Sequence, residues 1–330
     1  MNSIKKVKEL DILSGIAILL VVLLHSNAYY IWHIYPSVTS NFTIFIENLL
    51  CNITAPAVPI FIFISGYKFS INDINTDFKK LIQKKINKLL KPFLVLSLIF
   101  FIINLISNSE YFNNFRSIAI EFINIFRGYN TVYQLWYIPM YIFISITYPL
   151  IHKHFNNPIK RVLIIFIIIL IQRLLASKFV FLSQHPFDFV YYYIFYEMGL
   201  LFFKYNLKIK LHKFLNNSLI IYIIFSIIIS FFQLNNNVQL YILSPLYVAL
   251  YYLLSTKLVT SNLLSILGKY SYYIFLFHEP IICTKISYLF EYYGAYNSII
   301  FVLSITILTI IFSIFIYKII HKSFLQKIFF

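Results

Sequence analysis

FVLSITILTIIFSIFIY, residues 301–317, contains no charged side chain. A helix rises 1.5 Å per residue and needs roughly 20 mainly apolar residues to cross a bilayer. VLIIFIIILI at 162–171 repeats the pattern. Membrane-spanning strands alternate apolar and polar residues over about ten positions. These runs do not alternate, so they read as helices.

The rest of the chain agrees. It is 60% hydrophobic and 12% charged, with a mean hydropathy of +0.80, whereas soluble domains carry about a quarter charged residues. A water-soluble fold would lack the polar material to cover its surface. The fold class predicted is an all-α polytopic membrane protein of about ten transmembrane helices. They are placed near 10–31, 52–70, 92–108, 135–151, 161–176, 189–204, 217–233, 239–256, 270–289 and 297–317. One domain is expected over 1–330, with no repeat, long linker or appended soluble domain. The N-terminus has the charge of a signal peptide, but no small-residue cleavage site follows and further spans do, so 10–31 reads as a retained first helix. The largest outer loop, 109–134, carries Glu110, Arg116, Glu121 and Arg127.

The formal charge of +16 is a topology signal. With the N-terminus inside, alternate loops collect Lys5, Lys6 and Lys8, then Lys79, Lys80, Lys84, Lys85, Lys88 and Lys91. Lys153, Lys160 and Arg161 follow, then Lys204, Lys208, Lys210 and Lys213, then Lys257 and Lys269, and last Lys318, Lys322 and Lys327. Lys/Arg bias in short loops sets orientation, so both termini are expected in the cytoplasm. The partner this excess implies is the anionic lipid bilayer, not nucleic acid. Cys51 and Cys283 fall toward the outer side with no metal-ligand spacing, so no metal site is expected; they read as two isolated small apolar residues, or as a pair if their helices adjoin.

Ionisable residues at membrane depth are costly and face a cavity or a partner. The candidates are His25, Arg173, Glu197, His278 and Glu279. Arg173 lies near a helix end, where snorkelling to the headgroups explains it. Glu197 is near mid-span and fits either a functional role or a structural ion pair. His25 sits about 15 residues above Leu10, roughly 22 Å up the helix. Asp11, Ser14, Ile18, Val22, His25 and Tyr29 share one helical stripe, polar at both ends. A histidine there is either a hydrogen-bonded structural residue or a general base, since burial disfavours the charged ring. In ILGKYSYYIFLFHEP, 266–280, Gly268 reads as preceding a helix start. Tyr270, Tyr272 and Tyr273 read as interfacial, and Pro280 as a break beside His278 and Glu279.

These stretches resemble membrane-bound acyltransferase family 3, the bacterial integral-membrane O-acyltransferases of cell-surface glycans. LDILSGIAILLVVLLH, 10–25, resembles the first-helix signature of Asp, Arg-Gly and a histidine. VPIFIFISGYKF, 58–69, is similar to the second-helix signature through Ser65, Gly66 and Tyr67. KKINKLLKPF, 84–93, resembles the basic run before a proline, and LGKYSYYIFLFHEP the late motif through Ser271, Tyr272, His278 and Pro280. LWYIPMYIFISITYPL, 135–150, is a looser match through Trp136, with Gln134 where the family has a histidine.

The resemblance implies a multi-pass protein of the bacterial cytoplasmic membrane. It would pass an acyl group, acetyl above all, from cytoplasmic acyl-CoA to a hydroxyl of an extracytoplasmic glycan or glycolipid. Acyl-CoA is a co-substrate; no permanently bound cofactor is expected. His25 matches the catalytic histidine. Asp11, Ser65, Tyr67, Trp136, Glu197, Tyr272 and His278 are the expected substrate-path residues. At the family's arginine this chain carries Ser14, which cannot supply a guanidinium fork for phosphate. Three readings follow. Donor binding passes to Lys5, Lys8, Lys84, Lys85 and Lys88 beside Ser14; the donor differs; or transfer is lost and the chain assists a glycan synthase or export protein. A flippase or transporter of a lipid-linked sugar is the alternative class, suited by Glu197 and by helices interrupted at Pro56, Pro59 and Pro139.

Overall fold

The computed structural model describes residues 7–29, 41–73, 77–107, 114–127, 135–176, 178–179, 187–207, 224, 226–228, 243–293, 298–323 and 326–329. Among them there are helices and turns and no strand. Four described segments are long and apolar enough to cross a bilayer: Lys8–Ala28, Ile44–Ile71, Phe78–Ser107 and Ile299–Lys322. The protein is an all-α polytopic membrane protein. Lys5, Lys6, Gln134, Lys208, Lys210, Lys213 and most of the expected span 217–233 lie outside the described residues.

The chain divides into two compact units, Met1–Tyr67 with Gly199–Lys318, and Lys68–Met198 with Ile319–Phe330. The first is built around α1, Lys8–Tyr29. Leu10, Ile12, Leu13, Ala17, Ile18 and Val22 are all no more than 1% exposed, although they point to every side of the helix. A helix apolar all round is a buried helix; the single stripe of the sequence reading is therefore only one of its covered faces. Around α1 pack α2 (Asn41–Thr54), α10 (Ser244–Lys257), α11 (Asn262–Phe277) and α12 (Cys283–Tyr292).

The α1–α11 contact explains two glycines. A Cβ on Gly15 would collide with the carbonyl oxygen of Leu264, and one on Gly268 with that of Asp11. Small residues let two membrane helices approach backbone to backbone. Gly268 is thus inside a helix that starts at Asn262, not ahead of a helix start as its sequence context suggested. Ser261 begins that helix by accepting a hydrogen bond from the Leu264 amide, the usual work of an N-terminal cap.

The expected span 270–289 is broken. Glu279 has φ −132° and ψ 147°, an extended conformation between α11 and α12. The residue before a proline is pushed out of the helical region by the ring that follows, here Pro280. In the second span, helix begins at Asn41 rather than 52, and α3 (Ala57–Lys68) follows a turn at 55–56. α13, Ser298–Lys322, covers residues 301–317 and runs past them at both ends.

In the second unit, α4 (Phe78–Lys85) continues through a wider turn into α5 (Lys91–Ser107), so the basic run 84–93 is helical rather than loop. The segment 109–134, expected as an outer loop, carries α6, Phe115–Arg127, packed on α5. α6 buries Glu121 and Asn124 and exposes Phe122, Ile123 and Phe126. α7 (Tyr137–His154), α8 (Pro158–Ala176) and the first part of α9 (Tyr193–Lys204) complete the unit, with α14 (Gln326–Phe329) against α5.

Candidate functional site

Where α11 breaks, His278 turns inward and is completely enclosed. The last turn of a helix leaves carbonyls without intrahelical donors, and His278 Nδ1 lies 2.7 Å from one of them, the Phe275 carbonyl oxygen. A carbonyl only accepts, so Nδ1 carries the hydrogen. A charged ring without a counterion would be costly in this setting. In the neutral ring Nε2 then carries a lone pair, and that atom is buried with no hydrogen-bond partner among the described residues.

Facing it is His25 of α1, half-buried, its ring centroid 4.9 Å away and its plane inclined by 65°. The next residue, Ser26, donates to the Val22 carbonyl at 2.9 Å. Its oxygen also lies 3.1 Å from Thr306 Oγ1 and 3.8 Å from Cys283 Sγ. Glu279 accepts from Thr284 Oγ1 at 2.5 Å, which holds its carboxylate at the start of α12. Two imidazoles, one on α1 and one at the break after α11, therefore face one another inside the first unit. The arrangement suits proton transfer to and from a reacting hydroxyl.

Of the other expected site residues in this unit, Lys8 is exposed at the first turn of α1 and Asp11 is half-buried. Ser14 is buried and donates to the Leu10 carbonyl at 2.8 Å. Ser65 likewise donates to Phe61 at 2.9 Å. Tyr67 is buried among Phe63, Phe203 and Tyr252, and its hydroxyl accepts from Tyr252 Oη at 3.2 Å. Tyr272 is half-buried beside Tyr273, ring centroids 5.8 Å apart. Cys51 and Cys283 are free thiols; Cys51 accepts from Asn27 Nδ2 at 3.5 Å.

The remaining expected residues lie in the second unit. Lys85 donates to Tyr141 Oη at 2.8 Å, its Nζ 4.5 Å from the ring centroid; Lys84 is half-buried and Lys88 exposed. Trp136 packs on Tyr192, centroids 6.2 Å apart. Glu197 forms an ion pair with Arg161 at 2.8 Å, the two side chains 2% and 0% exposed. Arg161 Nε donates to the same carboxylate at 2.9 Å, and Nη1 donates to the carbonyls of Phe155 and Asn156 at 3.0 and 2.9 Å. Tyr148 donates its hydroxyl to Glu197 as well. Of the two readings kept open for Glu197, the geometry is that of the structural ion pair.

Sequence reasoning counted Arg161 with Lys153 and Lys160 among the cytoplasmic topology cations and did not pair it with Glu197. The presence of a mid-span acid with no assigned partner was the signal that a cation had to be found for it. It also missed Glu47, whose carboxylate is buried on α2 beside Asn27, one turn before Cys51. Starting the second span at 52 had placed Glu47 outside the membrane.

A family model described as an acyltransferase domain matches residues 7–318, nearly the whole chain. No curated protein and no solved structure matches it.

Proposed function

The chain belongs to acyltransferase family 3, and on that premise we propose that it moves an acyl group, acetyl above all, from cytoplasmic acyl-CoA to a hydroxyl of an extracytoplasmic cell-surface carbohydrate. The setting is the bacterial cytoplasmic membrane. The observation that carries the reading is the meeting of His25 with His278 at the break of the late helix.

In this mechanism a lone pair of His25 takes the proton of the acceptor hydroxyl as its oxygen attacks the thioester carbonyl. The new C–O bond forms, the C–S bond breaks, and the departing thiolate recovers the proton from His25. General base catalysis contributes about 10²–10⁴-fold. Two separate groups are candidates for the donor's phosphates: Lys8 at the foot of α1 in the first unit, with Lys5 before it in sequence, and the helical cations Lys84, Lys85 and Lys88 in the second. Ser65, Tyr67 and Tyr272, all in the first unit, are assigned to the walls of the acyl path.

One observation favours a second reading. Ser14 stands at the family's arginine and directs its hydroxyl hydrogen to Leu10, leaving no cation at that level of α1. A member that has lost transfer and supports a glycan synthase would show this. Isotope-labelled acetyl-CoA supplied to inside-out membrane vesicles separates the two. Label appearing in base-labile esters on glycan supports the enzyme, and label absent with and without a synthase present rejects it.

A further inference from the structure

We propose that His278 is the positioning residue for His25: its Nε2 lone pair accepts the N–H of the His25 ring and thereby decides which His25 nitrogen is left to act as base. The inference rests on the acyl-transfer reading and adds a role that the reading does not need.

A neutral imidazole has one N–H and one lone pair, and nothing in the ring itself decides which nitrogen carries which. In His278 the choice is made by the Phe275 carbonyl, 2.7 Å from Nδ1, which requires the hydrogen there. That carbonyl is available because the helix ends within the turn, a consequence of the Glu279–Pro280 break. Nε2 is therefore a fixed acceptor, fully enclosed and without a donor among the described residues. An unpaired buried acceptor costs roughly 1–3 kcal/mol, so a donor that reaches it is held.

His25 is the group within reach. Two imidazoles sharing an N–H···N bond of about 2.9 Å have ring centroids roughly 5 Å apart; the observed separation is 4.9 Å. The rings are not yet bonded, and a rotation of the half-buried His25 about its own side-chain bonds makes the contact. Once made, it places the His25 hydrogen toward His278 and the His25 lone pair away from it, toward the acceptor hydroxyl. When His25 takes the proton, the same bond steadies the imidazolium by a charge-assisted contact. This is the service an orienting carboxylate performs for the histidine of a serine-protease triad, where losing it drops turnover by about 10⁴.

The test uses two substitutions that divide the histidine between them. In His278→Asn the side-chain amide can keep the Phe275 bond but has nothing at the Nε2 position. In His278→Gln the amide oxygen reaches the Nε2 position and the Phe275 bond is given up. Full-length variants are expressed in cells lacking their own copy, at matched membrane levels, and base-released acetate from surface glycan is measured by mass spectrometry with time. His278→Asn is expected to lower the initial rate at least 10-fold, and His278→Gln to recover part of that loss. Asn matching the unchanged protein, or Gln falling below Asn, overturns the inference and leaves the role of His25 intact. Wild-type acetate levels in His25→Ala overturn the acyl-transfer reading itself.

Discussion

Two buried polar centres are treated in opposite ways. Around Glu197 every requirement is met: Arg161 supplies two nitrogens to the carboxylate, Tyr148 adds a hydroxyl, and the remaining arginine donors close on the carbonyls of Phe155 and Asn156. Around His278 one bond is made and one atom is left waiting. A saturated network has nothing left with which to bind or react, and it ties the α7–α8 connection to α9. A network with a free lone pair beside a second, half-buried imidazole keeps its chemistry in reserve. In the proposed mechanism, satisfaction of hydrogen bonds is what distinguishes the structural centre at Glu197 from the histidine pair assigned to the chemistry.

The contrast breaks most sharply at His25. Replacing it by alanine is expected to cut acyl transfer by about 10²–10⁴-fold while the melting temperature in detergent stays within the spread of replicate measurements. Transfer that survives at a tenth of the original rate removes His25 from the chemistry. Next comes Arg161→Ala, which strands the Glu197 carboxylate. Breaking a buried ion pair from one side costs about 3–5 kcal/mol. Loss of folded yield is expected on size-exclusion chromatography, with normal transfer per folded molecule. An unchanged yield would show that Glu197 finds relief elsewhere.

Smaller effects probe the scaffold that presents His25. Gly268→Ala forces α11 away from the Asp11 carbonyl. Overpacking of this kind costs about 1–3 kcal/mol, and reduced thermal stability with a partial loss of transfer is expected. Stability equal to that of the parent would mean that the two helices separate without penalty. Lys85→Gln removes a cation held over Tyr141, a contact worth about 1 kcal/mol or less where solvent reaches it. The expected change is a few-fold higher KM for acyl-CoA with kcat retained. A fall in kcat instead would assign Lys85 to the reaction and not to donor capture.

The long apolar runs were legible because burial in lipid needs only length and hydropathy. α5 begins at Lys91 and ends at Ser107, within a residue of the expected 92–108. α1 and α13 start where their sequences suggest. Segments that depart from uniform apolarity read less well. α6 hides a helix in what scans as a polar outer loop, because its Glu121 and Asn124 face inward and its phenylalanines outward. Gly268 looked like punctuation, yet its reason is a backbone 257 positions earlier in sequence, at Asp11, that no local pattern reveals. The histidines were individually visible at 25 and 278. That they face one another, and that a freed carbonyl fixes the hydrogen on one of them, depends on a three-dimensional packing that spacing does not encode.

One experiment confronts both centres at once. Buried ion pairs can often be exchanged for apolar side chains of similar volume without loss of stability, so Tyr148→Phe, Arg161→Met and Glu197→Leu are combined in one chain and set beside His25→Ala. Transfer of labelled acetate from acetyl-CoA to surface glycan is then compared per folded molecule. The apolar triple variant is expected to retain transfer within a few-fold of the parent, and His25→Ala to lose it. A dead triple variant beside an active His25→Ala would place the chemistry at Glu197 and contradict the account.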